Sequence, residues 1–270
     1  MILSNNRFLR RVNPQITRAL ADSGSSLNHS EIQQLMRQMV DLGIADNLKL
    51  WVHSGLVKTR TAGAETFIAK AYGISSNNFD AAQTTEANQP KLVSDGMEFD
   101  GSGDFLLIPH DAALNYITPF TLCTWCKFKT LPTGTTTNNT LLGKGTATSG
   151  SGGYDFKVDF ISGVYSLNLV KYFVADQRVN IASLSVNTWC HFVAAAQSDR
   201  VKYYVNGSHV GDSLNATPAQ TNIKDFEIAR FRDGSKTTHG AQNDIRIYNS
   251  TLAASQIAAI YNATKAKYGH

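Results

Sequence analysis

The chain has 270 residues, 42% of them hydrophobic and 17% charged, and a formal net charge of +4, a balance that supports a sizeable buried core and gives no ground for a nucleic-acid partner. No apolar run approaches the roughly 18 residues of a membrane-spanning helix, and the opening MILSNNRFLRRV turns polar and basic after two apolar residues, so neither membrane insertion nor a secretory signal is expected.

Residues 1–12 read as an extended arm, whose Arg7, Arg10 and Arg11, with Arg18 beyond, either anchor it to an acidic surface or stay solvated. Asn13-Pro14 offers a cap followed by proline at the first helical position, and Ile16 and Leu20 share a face of a short helix ending near Gly24. A second helix is predicted after Asn28, with Glu31 completing a capping box and Leu27 stapling against Ile32. Ile32, Leu35, Met36, Met39 and Val40 recur at helical spacing, and Gly43 is placed to end the helix.

From Asn47 the pattern turns to β structure. A strand is predicted over residues 67–72, a loop at Ser75-Ser76-Asn77-Asn78, and two strands, 97–99 and 105–108, around the turn Asp100-Gly101-Ser102-Gly103. The strand 120–128 alternates, so Cys126 shares an apolar face with Phe120, Leu122 and Phe128 while Cys123 points the other way. That C-x-x-C therefore does not chelate a metal or close on itself, and with Cys190 the three cysteines are read as reduced thiols.

Residues 129–153, rich in Thr, Gly, Ser and Asn and interrupted by the apolar run Leu141-Leu142, read as a long surface loop flanking one strand; the segment Gly143-Lys144-Gly145-Thr146 lacks the spacing of a phosphate-binding loop. Tyr154, Phe156, Val158 and Phe160 alternate with Asp155, Lys157 and Asp159, which predicts a strand with one wet face, then a turn at Ser162-Gly163 and a strand over 164–174. Residues 186–211 read as two strands closed at Ser198-Asp199-Arg200, with a second turn at Asn206-Gly207. Val201, Tyr203 and Val205 lie on one face there, Lys202 and Tyr204 on the other, and His191 reads as a hydrogen-bonded framework residue. A strand over 226–231, a loop over 232–240, a last strand over 244–248 and a helix carrying Ile257, Ile260 and Tyr261 complete the chain.

The run N-T-W-x-H-x-x-x-x-x-S-D-x-V-x-x-Y-V-N-G-x-x-V resembles the signature hairpin of concanavalin A-like, laminin-G-type jelly-roll domains. GMEFDGSGDFLLIP at 96–109, FTLCTWCKF at 120–128 and AQNDIRIYNSTLAASQIAAIYN at 241–262 match that family in order, and Ser76, Asn78, Asp80, Ala81 and Gln83 fit its SGNxNDAxQ segment. The resemblance implies a mainly β fold: a jelly-roll sandwich of two antiparallel sheets with a short helical N-terminal segment and a short C-terminal helix. The segment from Val12 to Val52 is similar to the helical preamble of laminin-G-like domains in tailed-bacteriophage structural proteins, departing from it at Leu50-Trp51-Val52-His53, where that family carries a Tyr-Pro-Phe-like stretch. This gives two parts, an attachment arm and preamble over 1–46 and the sandwich with its C-terminal helix over 47–270.

Catalytic patterns are missing. Glycan hydrolases on this fold carry E-x-D-x-x-E or a close variant; here Glu98-x-Asp100 is followed by Gly103, in a chain with only five glutamates. The resemblance implies calcium at a sandwich edge, for which Asp100, Asp104 and Asp244 are candidates, the alternative being that Asp100 and Asp104 shape a turn. Sugar binding calls for an aromatic platform with amides, and Tyr204, Trp125, Tyr154 and Asn168 are the candidates. The expected function is a non-enzymatic virion protein, made in the host cytoplasm, that decorates capsid or tail as a homo-oligomer, contacts other virion proteins and host-surface carbohydrate, and requires no cofactor unless Ca²⁺. The alternatives are a carbohydrate-binding adhesin and, third, a glycoside hydrolase.

Overall fold

The computed structural model describes residues 16–19, 21–22, 29–115, 117–133, 139–145, 152–171, 178–214, 221–231 and 236–270. Arg7, Arg10, Arg11 and the capping residues Leu27 and Asn28 lie outside them. The N-terminal helix spans His29–Asp41. It ends as its sequence dictates: Gly43 adopts φ +68°, its N–H bonds Val40 O (3.0 Å) and the Ile44 N–H bonds Met39 O (3.0 Å), the paired bonds of a glycine-terminated helix.

Eighteen strands follow among the described residues: β1 (Leu48–Ala62), β2 (Glu65–Gly73), β3 (Ala81–Ala82), β4 (Lys91–Val93), β5 (Gly96–Asp100), β6 (Leu106–Ile108), β7 (Phe120–Phe128), β8 (Asn139–Gly145), β9 (Gly153–Ile161), β10 (Val164–Lys171), β11 (Arg178–Asn180), β12 (Trp189–Ala196), β13 (Arg200–Val205), β14 (Ser208–Leu214), β15 (Phe226–Ile228), β16 (Arg230–Phe231), β17 (Lys236–Thr237) and β18 (His239–Tyr248). A helix, Ala254–Thr264, and a 3-10 turn, Lys265–Tyr268, end the chain. Both turns of the central hairpin form as expected; Asn206 and Gly207 take φ values of 50° and 76°. The strand expected over 226–231 is split by Ala229 at φ 63°, and the last strand starts at His239, inside the segment read as a loop.

The strands form a sandwich of two antiparallel sheets. One layer runs β4–β5–β18–β7–β12–β13–β14 and the other β2–β3–β6–β15–β8–β9–β10–β11; hydrogen bonding is continuous between them through the β2–β4 pair Phe67–Lys91, and β16–β17 is a separate two-stranded sheet. The long hairpin β1–β2 joins them: residues 48–52 pair with β18 and residues 57–62 with β2, the register slipping between Val52 and Val57. Leu122, Cys126 and Phe128 of β7, Phe192 of β12 and Ile245 and Ile247 of β18 share one buried cluster with Leu142, Phe156 and Leu167 of the opposite sheet.

The other face of β7, β12 and β18 is also buried. Cys123, Val193, Ala195, Tyr204 and Tyr248 form a second cluster with Leu35, Met36, Met39 and Ile44 from the N-terminal segment and Leu252, Ile257 and Ile260 from the C-terminal one. Gln38 Nε2 donates to Ala259 O (3.0 Å) and Gln256 Nε2 to Leu42 O (3.1 Å), tying the two segments together. An amphipathic helix must bury its apolar stripe, and this one buries it on the sheet, so the helix before residue 46 and the sandwich share one buried cluster. The wet face expected of β9 is corrected too: Asp155, Lys157 and Asp159 are all buried. Lys157 pairs with Asp159 at 3.0 Å, and Asn168 Nδ2 donates to Asp159 (2.9 Å). Alternation records the polarity of a face, not whether something covers it.

Between sheet and helices lies a buried ion pair. Asp244, at φ 50°, sits in a bulge where the β18–β7 register slips between Asn243 and Arg246. Its carboxylate accepts from Trp51 Nε1 (2.6 Å) and from Arg246 Nε and Nη2 (2.8 Å each). Burial pushes that carboxyl up, yet Arg246 beside it holds it below the usual carboxylate range. Asp244→Ala leaves the guanidinium buried and unpaired, and urea unfolding is expected to show a loss of about 3–5 kcal/mol. A loss below about 1 kcal/mol, the range of an exposed pair, would contradict this assignment.

Candidate functional site

All four residues expected to hold a sugar are inside the protein. Trp125 has no exposed surface; it stacks on Tyr268 (centroids 4.3 Å apart, 24° between planes), and its Nε1 donates to Thr264 Oγ1 (3.0 Å). Tyr204, 3% exposed, belongs to the cluster beneath the helices. Tyr154 lies in the sandwich core with its hydroxyl on Leu114 O (2.9 Å), and Asn168 is fully buried beside Asp159. A platform of Tyr204, Trp125, Tyr154 and Asn168 is thus not formed, since aromatics that looked free in an alternating strand serve two interiors. His191 is buried between Trp125 and Tyr261, with neither ring nitrogen hydrogen-bonded among the described residues, and burial lowers its pKa to about 3.

The three aspartates do not converge. Asp100 Oδ1 accepts the N–H groups of Ser102 (2.8 Å), Gly103 (3.0 Å) and Asp104 (3.1 Å), and Asp104 Oδ2 accepts that of Asp100 (3.1 Å), so the pair shapes its turn. Asp244 is consumed by Arg246 and Trp51 and stands five residues along β18 from His239, the register partner of Asp100, about 17 Å at strand rise. No group of three or more His, Cys, Asp or Glu that could hold a metal occurs among the described residues. Glu98, the candidate hydrolytic carboxylate, is paired with Lys129 at 2.7 Å.

One concavity, of about 350 Å³, lies between the helical segments, lined by Gln34, Leu35, Gln38, Ala263, Thr264 and Lys267; another, with convergent polar groups, lies where β2, β3 and β6 meet. The latter is a depression of about 430 Å³ with Ala82 and Ile108 below and Lys70, Asn78, Phe79, Asp80, His110 and Asp111 around it. Local sequence builds it. Asn78 takes φ 60° to close the turn after Ser75, and Gly73 lets the chain double back, since a Cβ there would lie 2.3 Å from Phe79 O. Asp80 accepts from the Gly73 N–H (3.1 Å) and from Arg18 Nη2 (2.9 Å), which fixes the loop, while Phe79 is partly buried against the sandwich core. Asp111 caps the 3-10 turn Ala112–Leu114 through the Ala113 N–H (2.7 Å).

Behind His110 stands Lys144, which is fully buried. Its ammonium reaches His110 Nδ1 (3.0 Å), Asn222 Oδ1 (3.4 Å) and Lys224 O. A charged lysine only donates, so His110 Nδ1 accepts and the ring proton sits on Nε2, a donor at the rim. Burial lowers the Lys144 pKa to about 8, opposed by the charges of Asp225 and Asp111. Sequence reasoning weighed Lys144 only as part of a phosphate loop and passed over Phe79, His110 and Asp111. The family-like segment at 76–83 marked the loop that lines this depression without marking it as a site.

Burial, aided by the nearby charge of Asp100, pushes the Asp104 carboxyl up from 3.8 to about 7. A raised acid pKa means the folded state binds the extra proton, so this contribution to stability is present at low pH and is lost as pH rises from about 4 to about 7. Asp104→Asn keeps an acceptor for Asp100 N–H without the charge. Its Tm is expected to gain on the parent progressively across that window; a difference that stays flat with pH would contradict the assignment.

Comparison with known proteins agrees with this architecture. Residues 100–258 match the Laminin_G_3 family, described as the concanavalin A-like lectin/glucanases superfamily. An adhesion G-protein coupled receptor V1 from Danio rerio is 24% identical over 151 residues, 53% of this chain but 2% of the receptor. Trypanosoma rangeli sialidase in complex with sialic acid superposes at TM-score 0.58 with 16% identity, covering 88% of this chain and 39% of the sialidase. The binding domain of Paraclostridial Mosquitocidal Protein 1 gives 0.59 with 14% identity over 81% of this chain and 52% of its own, and the botulinum neurotoxin serotype D ligand binding domain in complex with N-acetylneuraminic acid gives 0.57 with 13% over 84% and 52%. The chain thus spans about half or less of each of these proteins, and likeness at such identities is a likeness of fold. With the family match covering more than half of its length and the sandwich in place, the chain belongs to the concanavalin A-like lectin/glucanase superfamily, as a laminin-G-type domain.

Proposed function

We propose that the chain is a non-catalytic carbohydrate-binding domain carried as a structural appendage of a tailed-bacteriophage particle, taking host-surface oligosaccharide in the depression between Phe79 and His110. The observation that carries the binding reading is the depression itself: the remaining open edge of a partly buried aromatic ring beside an amide, two carboxylates and an oriented histidine donor. That set supplies what a neutral or mixed sugar surface needs, an apolar face to stack on and short polar groups for its hydroxyls. The absence of catalysis is supported by the commitments of Glu98 to Lys129 and of Asp100 to its own turn. Family membership and the sialic-acid-bearing neighbours favour sugar as the ligand class.

The phage assignment is supported by the likeness of the preamble. In this reading, contact with other virion proteins falls to the N-terminal arm, Arg7, Arg10 and Arg11 included, because the helix His29–Asp41 is occupied with the sheet. The particle then presents several copies, and weak single-site affinity is multiplied by avidity. Calcium plays no part in the proposed contact, which uses none of Asp100, Asp104 and Asp244.

A glycan array followed by titration tests this. Roughly millimolar binding is expected to weaken about tenfold or more in Phe79→Ala, where a stacking surface is lost, and to survive Tyr204→Phe and chelation by EDTA. Binding that Phe79→Ala leaves intact, or that EDTA abolishes, would overturn the placement.

A further inference from the structure

Two of the three cysteines stand directly across from each other. In the β7–β12 ladder the register partner of Cys126 is Cys190, flanked by Lys127 opposite Trp189 and Trp125 opposite His191, with no slip between the strands. Facing residues of an antiparallel pair project to the same side of the sheet. That side is the sandwich interior: Cys126 is a core residue, and Cys190, half-buried at the rim, packs against the same cluster. Cys123 lies on the opposite face beneath the helices, and the residue across from it in β12 is Val193.

Facing positions hold their Cα atoms ~4.5–5.5 Å apart, within the ~4.4–6.8 Å span of disulfides, so a bridge requires side-chain rotation and a small approach of the strands rather than refolding. We propose that Cys126 and Cys190 are an oxidisable pair that closes a cross-strand disulfide when the folded protein meets a disulfide oxidant such as oxidised glutathione. The sequence hides this pair, because the conspicuous spacing is that of Cys123 and Cys126, which the strand turns to opposite faces.

The step balances as a thiol–disulfide exchange. Cys190, the more accessible partner, attacks as its thiolate, forming a bond to one glutathione sulfur and expelling the other glutathione as thiolate. Deprotonated Cys126 then displaces the second glutathione from Cys190, closing the protein disulfide. Two protein thiols are oxidised, one molecule of oxidised glutathione is reduced to two thiols, and the two protons end on the released glutathione. Burial raises both protein thiols, Cys190 to about 11, so closure is slow at neutral pH and quickens as pH rises.

The test uses the full chain, held folded with oxidised glutathione at about pH 8.5, then acid-quenched, unfolded, alkylated and weighed. The expected result is a fall from three alkylatable thiols to one, a mass about 2 Da lower before alkylation, and a peptide joining residues 126 and 190. Cys123→Ser is expected to lose two thiols in the same way, whereas Cys190→Ser keeps both of its own. Dithiothreitol restores the full count. Three thiols surviving prolonged exposure, a stable glutathione adduct on Cys190 that never resolves, or loss of two thiols in Cys190→Ser would each overturn the proposal.

Discussion

A sheet buried on both faces is the constraint on which the rest of this structure depends. In a two-layer sandwich the central strands show one face to water; here the helices at both ends of the chain close that face. A charge beneath them needs an opposite charge inside the protein. The Asp244 carboxylate meets this condition through two parallel hydrogen bonds from Arg246 and a third from Trp51, and the guanidinium is held 5.0 Å from the Trp51 ring centroid. Two charges in such a place cost several kcal/mol each in desolvation, so the pair stands only while both members remain. The bulge at Asp244 allows it, because the inserted residue brings Asp244 and Arg246 into mutual contact beneath the helices.

The same closure buries Trp125 and Tyr204. Trp125, Trp189, Tyr261 and Tyr268 form an aromatic stack, but they stack on one another. Where β2, β3 and β6 meet, the side chains around the depression are held by short polar contacts as well as by packing. There, Lys144 reaches out from β8 to set the His110 ring, and Asp80 ties the Phe79 loop to Gly73 and Arg18. A rigid scaffold with variable loops at its rim is the usual division of labour for binding on β-sandwiches.

The fold was legible from local patterns. Alternation located the β7, β9, β12 and β13 strands, Asn206-Gly207 located a hairpin, and Gly43 located a helix end, because each of these is decided by a few neighbouring residues. The burial of Trp125 and Tyr204 was not legible, since it depends on segments distant in sequence folding over one face. The candidate site was legible only as a family-like loop at 76–83. Its members come from β2, the loop after it and the loop after β6, and their convergence is a product of topology. Lys144 shows the same gap: its role follows from Asn222 and His110, neither near it in sequence.

The most direct test of this account is tryptophan fluorescence, because all three tryptophans of the chain lie at the closed face, Trp51 and Trp125 with no exposure and Trp189 with 5%. The native protein should emit in the blue-shifted range of buried indoles, resist iodide quenching, and leave its emission unchanged when oligosaccharide binds. Red-shifted emission that iodide quenches readily, or that sugar shields from quenching, would show that the face is open and that the aromatics are the binding surface after all.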